Sequence, residues 1–361
     1  MAEPFKELFN QEFVNDLADA VKQQYKAFDA VEFKACVLDR EWPARELKQR
    51  MRHISSSLQD FLPNDYGQSL EILKKTSQAF SGLAHIVFAD FVEIYGLDHF
   101  SASVEALALF TQNSSAEFAV RPFIKKYPVK MMQQMEKWAV SDNEHLRRLA
   151  SEGCRPRLPW AMALPQFKKD PLPVLEILGL LKNDPSEYVR KSVANNLNDI
   201  SKDNPEIVLG RAKKWLGKSK ETDWIVKHGC RTLLRAGNTG ALLLLGYEEP
   251  ANIRISALNV TPVIKMGETI EFSFSVTAEE GMLGKLRLEY IIDFMKANGK
   301  TSPKIFKISE GDFESEKRDI VKNHSFRPIT TRKYYPGTHG LKIIVNGVQK
   351  AEAAFDVKNI S

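Results

Sequence analysis

Apolar residues over the first 240 positions recur at helical spacing. Phe5, Leu8 and Phe9, then Phe13, Leu17 and Val21, fall three and four apart. Leu47, Met51 and Ile54 extend the pattern through 39–58, and the run Phe61-Leu62-Pro63-Asn64-Asp65 breaks it. Further helices are expected over 66–80, 88–95 and 101–110. Alternation with period two is scarce here, so the stretch reads as all-α. Past residue 252 the period changes. Ile270, Phe272, Phe274 and Val276 alternate with polar residues, and 253–258, 286–292, 305–308, 341–345 and 353–357 supply further strands.

Two architectures follow. The middle of the helical part repeats itself: WAVSDNEHLRRLASEG from Trp138, LKNDPSEYVRKSVANN from Leu181, and WLGKSKETDWIVKHGCRTLL from Trp215. Each places an apolar residue, a polar turn and a helix bearing a basic pair, beginning at Arg147, Arg190 and Lys227. These intervals are near the ~40-residue period of paired-helix repeats, which stack into a HEAT-like α-solenoid. The short strands that follow predict an immunoglobulin-like β-sandwich. Gly240, Gly246 and Pro250 punctuate the junction, so the expected domains are 1–250 and 251–361.

Charge adds a local signal rather than a global one. The chain has 51 Lys and Arg against 46 Asp and Glu, a net +5. Residues 121–157 alone hold nine basic against four acidic side chains. Cys36, Cys154 and Cys230 are far apart, without CxxC spacing or clustered histidines. This argues against a zinc site and suits a reducing compartment. The N-terminus lacks an apolar signal core and no run approaches a membrane span, so a soluble, cytoplasmic chain is expected.

The densest chemistry lies in 141–160, SDNEHLRRLASEGCRPRLPW. Ser141 or Asp142 is the expected N-cap, and Leu146, Leu149 and Ala150 form the apolar stripe. Arg148 and Glu152, four apart, share another face, and Arg155-Pro156 stops the helix. Arg157 and Trp160 follow. In the second repeat Val189, Val193, Leu197 and Ile200 form the buried stripe, while Lys191, Asn195 and Asp199 share a separate face. The third repeats this logic with Lys227, Arg231 and Arg235, plus His228. One surface is thus expected to collect Arg148, Glu152, Lys191, Asn195, Asp199, His228, Arg231 and Arg235. Cations in register fit phosphates, and solvated charge is the plainer alternative for any one of them. Arg327, Arg332 and Lys333, with Tyr334 and Tyr335, fall in an expected loop of the sandwich.

Four stretches carry a family resemblance: SSAEFAVRPFI, SEGCRPRLPWA, VRKSVANNLNDISKDNP and WIVKHGCRTLLRAGNTGALLLLG. They resemble the AlkC branch of alkylpurine DNA glycosylases across residues 1–250, and the sandwich resembles an extra domain of some members. The resemblance implies excision of N3-alkylated bases, chiefly 3-methyladenine and 3-methylcytosine, from duplex DNA without extrusion into a deep pocket. Glu117, Glu152 and Asp199 lie in the matching motifs and form the expected catalytic set. Such a reaction needs anions beside a developing oxocarbenium sugar and a positioned water. Trp160 is expected to pack on the sugar or exposed base, with a structural tryptophan as the alternative. Arg148, Arg155, Arg157, Arg190, Lys191, Asn195, Lys227, His228, Arg231, Arg235, Arg332 and Lys333 are the expected DNA contacts. No lysine is implicated as a Schiff-base nucleophile, so a monofunctional enzyme without lyase chemistry is expected. A monomer with no metal or cofactor is also expected. A non-catalytic scaffold binding DNA or protein is the competing class.

Overall fold

Local capping and apolar stripes set the helices. The computed structural model describes residues 4–329 and 332–359. In chain order the helices are α1 (Gln11–Gln24), α2 (Ala30–Val37), α3 (Leu47–Phe61), α4 (Tyr66–Ser77), α5 (Ile86–Tyr95), α6 (Phe100–Phe110), α7 (Val120–Lys126) and α8 (Pro128–Ala139). They continue as α9 (Glu144–Gly153), α10 (Pro165–Lys169), α11 (Leu172–Leu181), α12 (Glu187–Ser201), α13 (Pro205–Trp215), α14 (Lys220–Gly229), α15 (Arg231–Arg235) and α16 (Thr239–Leu244). No strand precedes residue 253 among the described residues, as the apolar period required.

Three details differ from expectation. The stretch 39–58 is not one helix. Pro43 confines Trp42–Ala44 to a single 3₁₀ turn, and α3 begins afterwards on a capping box between Glu46 and Gln49. The cap of α9 is Asn143, whose side chain accepts the His145 amide at 2.9 Å, while Ser141 Oγ supports Asn143 from behind at 3.2 Å. Finally, Lys227, Arg231 and Arg235 do not ride one helix. α14 ends at Gly229, Cys230 interrupts, and α15 restarts at Arg231. Glycine is a weak helix former. It is needed here because a Cβ at Gly229 would stand 2.7 Å from Leu197 Cδ2.

That close approach lets α14 pack on α12, and α12 packs in turn on α9. Behind them α8 packs on α9 and α11 on α12, which gives the repeated helix pairs. Val189, Val193, Leu197 and Ile200 of α12 are fully buried, as their spacing predicted. Residues 4–208 with 214–229 form one compact unit, and residues 209–213 with 230–359 form a second.

Among the described residues the second unit holds eight strands: β1 (Ile253–Val260), β2 (Val263–Lys265), β3 (Thr269–Ala278), β4 (Gly284–Met295), β5 (Thr301–Phe313), β6 (Lys317–Ser325), β7 (Gly337–Val345) and β8 (Val348–Lys358). They form two sheets, ordered β1-β3-β6 and β2-β8-β7-β4-β5. One shared core joins them, including Phe272 and Phe274 from the first sheet and Tyr290, Ile292, Leu341 and Phe355 from the second. β2 and β6 were not expected. β2 is only three residues long, and β6 has one buried residue, Ile320. Arg332 lies in the β6–β7 loop, its guanidinium 4.4 Å from the Phe294 ring centre. Lys333 sits over Tyr335 at 5.5 Å. α15 and α16 share a small apolar cluster built from Leu233, Leu234, Ala241, Leu242 and Tyr247, with Leu209 against it.

One buried carboxylate in the helical unit makes stability depend on pH. Asp90, on α5, has Arg52 Nη2 2.9 Å from its Oδ1, yet neither oxygen receives a hydrogen bond of normal geometry. Burial, only partly opposed by Arg52, pushes its pKa up to about 6 from 3.8. The folded state therefore holds a proton that the unfolded chain releases, and stability falls as pH rises from about 4 to 6. Asp90→Asn is expected to remove that loss, on the order of 2–3 kcal/mol. Urea unfolding of both proteins at pH 4.5 and pH 7.5 checks it. Parallel pH dependence in the two would refute the assignment.

Candidate active site

Two arginines organise the site. Arg121, on α7, is fully buried. Its Nε donates to Met162 O at 2.7 Å, and its Nη1 donates to Gly153 O at 2.9 Å and Arg155 O at 2.8 Å. One fork-shaped cation thus holds the loop that leaves α9 at three carbonyls. Burial pushes its pKa down to about 10, still well above neutrality. The sequence offers no signal for this role, because an arginine beside Pro122 reads as ordinary helix-surface charge.

The second is Arg155, at the head of that loop. Its Nη1 donates to Glu152 Oε1 at 2.6 Å, and its Nε and Nη2 reach Asp199 Oδ2 at 2.8 Å each. Asp199 Oδ1 accepts from Lys202 Nζ at 3.0 Å. Glu152 Oε2 accepts from Ser192 Oγ at 2.6 Å. On the other side, Arg148 Nη2 lies 3.7 Å from Glu152 Oε1, and Arg148 Nη1 pairs closely with Glu117. Glu117 Oε2 also accepts from Ser115 Oγ at 2.8 Å. The result is a string of alternating charge, Glu117–Arg148–Glu152–Arg155–Asp199–Lys202. It runs from the turn before α7 across α9 to α12. Burial works against the charge on Arg148, but Glu117 and Glu152 outweigh it and the pKa rises above its ordinary value. The same balance, with Glu152 and Asp199, raises Arg155.

Glu117, Glu152 and Arg155 form one wall of a pocket of about 280 Å³. Phe9, Leu47, Met51, Ile86 and Phe118 supply an apolar wall, and Leu158, Pro159 and Trp160 line another side. Asp199 is not part of that lining and stands behind Arg155. Trp160 is 63% exposed and has φ of +62°. A non-glycine residue in that region carries strain, and such strain concentrates at functional sites. Lys48, also in the lining, donates from Nζ to Trp160 O at 2.7 Å.

The sequence therefore identified three carboxylates that the fold does bring together. The expected phosphate contacts scatter more widely. Arg148 and Arg155 are largely buried between carboxylates rather than presented to solvent. Arg157 pairs with Asp203 at 2.5 and 3.0 Å, and Arg190 Nη1 donates to the carbonyls of Asp184 and Pro185. Lys191 is exposed and 2.8 Å from Glu187, one turn back on α12. Asn195 follows on the same helix and is half-buried. On α14, Lys227 is exposed and the His228 ring stacks on Trp224 at 5.0 Å. Arg231 and Arg235 belong to the second unit, as do Arg332 and Lys333. Among the described residues no cluster of His, Cys, Asp and Glu is arranged to hold a metal ion. Burial pushes the Cys154 thiol up to about 12, so it carries no thiolate chemistry. No described helix is long and apolar enough to cross a membrane.

Comparison with known proteins gives this geometry a class. The family model described as DNA alkylation repair enzyme matches residues 108–233, which contain all six members of the charged string. A second, described as the C-terminal Ig-like domain of uncharacterised protein YhaZ, matches 254–359. The chain is 46% identical to uncharacterized protein YhaZ of Bacillus subtilis (strain 168) over 354 residues, 98% of this chain and 99% of that one. It also superimposes on the alkylpurine DNA glycosylase AlkC of Pseudomonas fluorescens, solved bound to DNA containing an abasic site analog. That match has a TM-score of 0.94 and 39% identity, covering 99% of this chain and 100% of the other. The chain belongs to the AlkC family of alkylpurine DNA glycosylases, with a C-terminal Ig-like sandwich.

Proposed function

We propose that this protein is a monofunctional DNA glycosylase. Its substrates are cationic N3-alkylated bases in duplex DNA, 3-methyladenine and 3-methylcytosine, and it hydrolyses their N-glycosidic bond. The observation that carries the reading is the charged string ending in a pocket beneath an exposed tryptophan. Alkylation at N3 already weakens the glycosidic bond, so the leaving base needs little proton donation. What remains is to stabilise the cationic sugar and deliver water.

Glu117 uses one oxygen on Ser115 and Arg148, which leaves the other to hold the water. Glu152 has both oxygens engaged and supplies negative field at the sugar. Asp199 acts through Arg155 as a positioning residue, and Arg148 plays the same part between the two glutamates. Trp160 packs on the exposed sugar or base at the pocket mouth, so the base need not enter a deep pocket. Arg157, Arg190, Lys191, Asn195, Lys227 and His228 contact phosphates on the helical unit, and Arg231, Arg235, Arg332 and Lys333 do so on the second. The protein works as a monomer in the cytoplasm, and residues 1–250 carry the chemistry.

The test is base release. Incubation with N-methylated duplex DNA in EDTA is expected to liberate 3-methyladenine and 3-methylcytosine, leaving abasic sites without strand cleavage. Absence of any released base, with duplex binding retained, would leave a non-catalytic scaffold.

A further inference from the structure

Lys48 sits in the first turn of α3, more than a hundred residues from the loop it touches. The capping box fixes that turn, since Glu46 N donates to Gln49 Oε1 at 2.8 Å. From this base the exposed Lys48 side chain reaches two segments of the pocket wall. Its Nζ donates to Trp160 O at 2.7 Å and lies 5.1 Å from the centre of the Phe118 ring. Phe118 directly follows Glu117. The backbone of Trp160 is strained and its ring is exposed. Around it, Ala161 N donates to Leu158 O at 3.3 Å and Leu164 N to Pro156 O at 3.2 Å, but neither bond reaches the Trp160 carbonyl that Lys48 takes. Arg121 grips the loop at residues 153, 155 and 162 but not at 160. A charge-assisted hydrogen bond is comparable in size to the strain of one left-handed residue, so the Lys48 bond adds a hold at Trp160 itself to those backbone bonds.

We propose that Lys48 is a positioning residue that holds Trp160 over the pocket and keeps it in register with the Glu117 segment. This rests on the glycosylase reading above. Lys48 acts through Trp160 and Phe118, and not by touching the scissile bond. The rival role for an exposed ammonium at this rim is a DNA phosphate contact, which would act on affinity.

The experiment uses the full chain with Lys48→Met, Lys48→Arg, Trp160→Ala and the Lys48→Met/Trp160→Ala double variant. Single-turnover excision of 3-methyladenine from duplex DNA is measured at saturating protein, and duplex affinity is measured against salt. Acrylamide quenching of Trp160 is read as the difference between each protein and its Trp160→Phe counterpart. The expected result for Lys48→Met is a saturated rate lower by about 10- to 100-fold, the range for a misplaced contact group. Lys48→Arg should restore most of that rate, and the double variant should be no slower than Trp160→Ala alone. The salt slope should be unchanged, and Trp160 should become easier to quench. A wild-type rate in Lys48→Met or Trp160→Ala would overturn the proposal. So would independent, multiplying losses in the double variant, or a salt slope smaller by roughly 0.9, the mark of a lost phosphate contact. If the wild-type protein excises nothing, the glycosylase reading fails. The quenching difference still judges the tether in that case, and unchanged quenching in Lys48→Met rejects it.

Discussion

Glu152→Gln and Glu117→Gln are each expected to slow base excision by about 10²–10³-fold while duplex affinity stays within a few-fold of wild type. The amide keeps the shape of the carboxylate and removes the anion. At Glu152 that anion sits between Arg148 and Arg155 on the pocket wall, and at Glu117 it faces Arg148 across the same wall. Loss of charge therefore weakens the stabilisation of a cationic sugar and leaves phosphate contacts untouched. Single-turnover rates on a duplex carrying one 3-methylated base decide it. Near-wild-type rates in both variants would remove these glutamates from the chemistry. Asp199→Asn is expected to slow excision less, because Asp199 reaches the pocket only through Arg155.

The largest effect on stability is expected at Arg155. Arg155→Met keeps an apolar stem of similar length but strips Glu152 and Asp199 of the cation between them. Both carboxylates are buried, at 6% and 2% exposure, and a buried charge without its partner is costly. The expected loss is about 3–5 kcal/mol. Lys202 still holds one oxygen of Asp199, which places the outcome toward the lower end of that range. Arg157→Met is the matched control. Its partner is Asp203 and its side chain is 38% exposed, so about 1 kcal/mol or less is expected. Urea midpoints for the two variants measure the contrast. Equal midpoints would mean the string contributes nothing to folding.

Much of this arrangement was legible in the residues, and the missing parts share a cause. The apolar stripe of α12 and the alternation of β3 are local patterns, and both appear where the spacing put them. Arg148 and Glu152 could be paired by counting along one helix. Arg155 and Asp199 lie 44 residues apart, and their contact exists only because α9 and α12 pack together. Arg121 and Lys48 were missed for a related reason. Each binds backbone carbonyls of a distant loop, and a carbonyl leaves no trace in side-chain identity. The break at Cys230 was hidden because 227–235 is continuous in polarity. α14 ends at Gly229, a weak helix former that the close approach of Leu197 requires there. β6 was missed because its two apolar residues, Ile320 and Val321, are adjacent and give no alternation.

The membership of residues 209–213 in the second unit bears on how the chain is made. These five residues leave the ribosome before α14, which belongs to the first unit, and well before any strand. Leu209, inside α13, packs with Leu233, Leu234 and Leu242, which are synthesised some twenty to thirty residues later. Tyr247, at the end of that cluster, lies beneath Lys285, and Asn346 donates to Glu248 O at 2.8 Å. The helical repeats can close as they emerge, but Leu209 within α13 must wait for residues 233–247. Synthesis therefore does not deliver two finished modules in turn. In sequence, the second unit begins at residue 209, before the first ends at Gly229, and is completed only when β7 and β8 have been made.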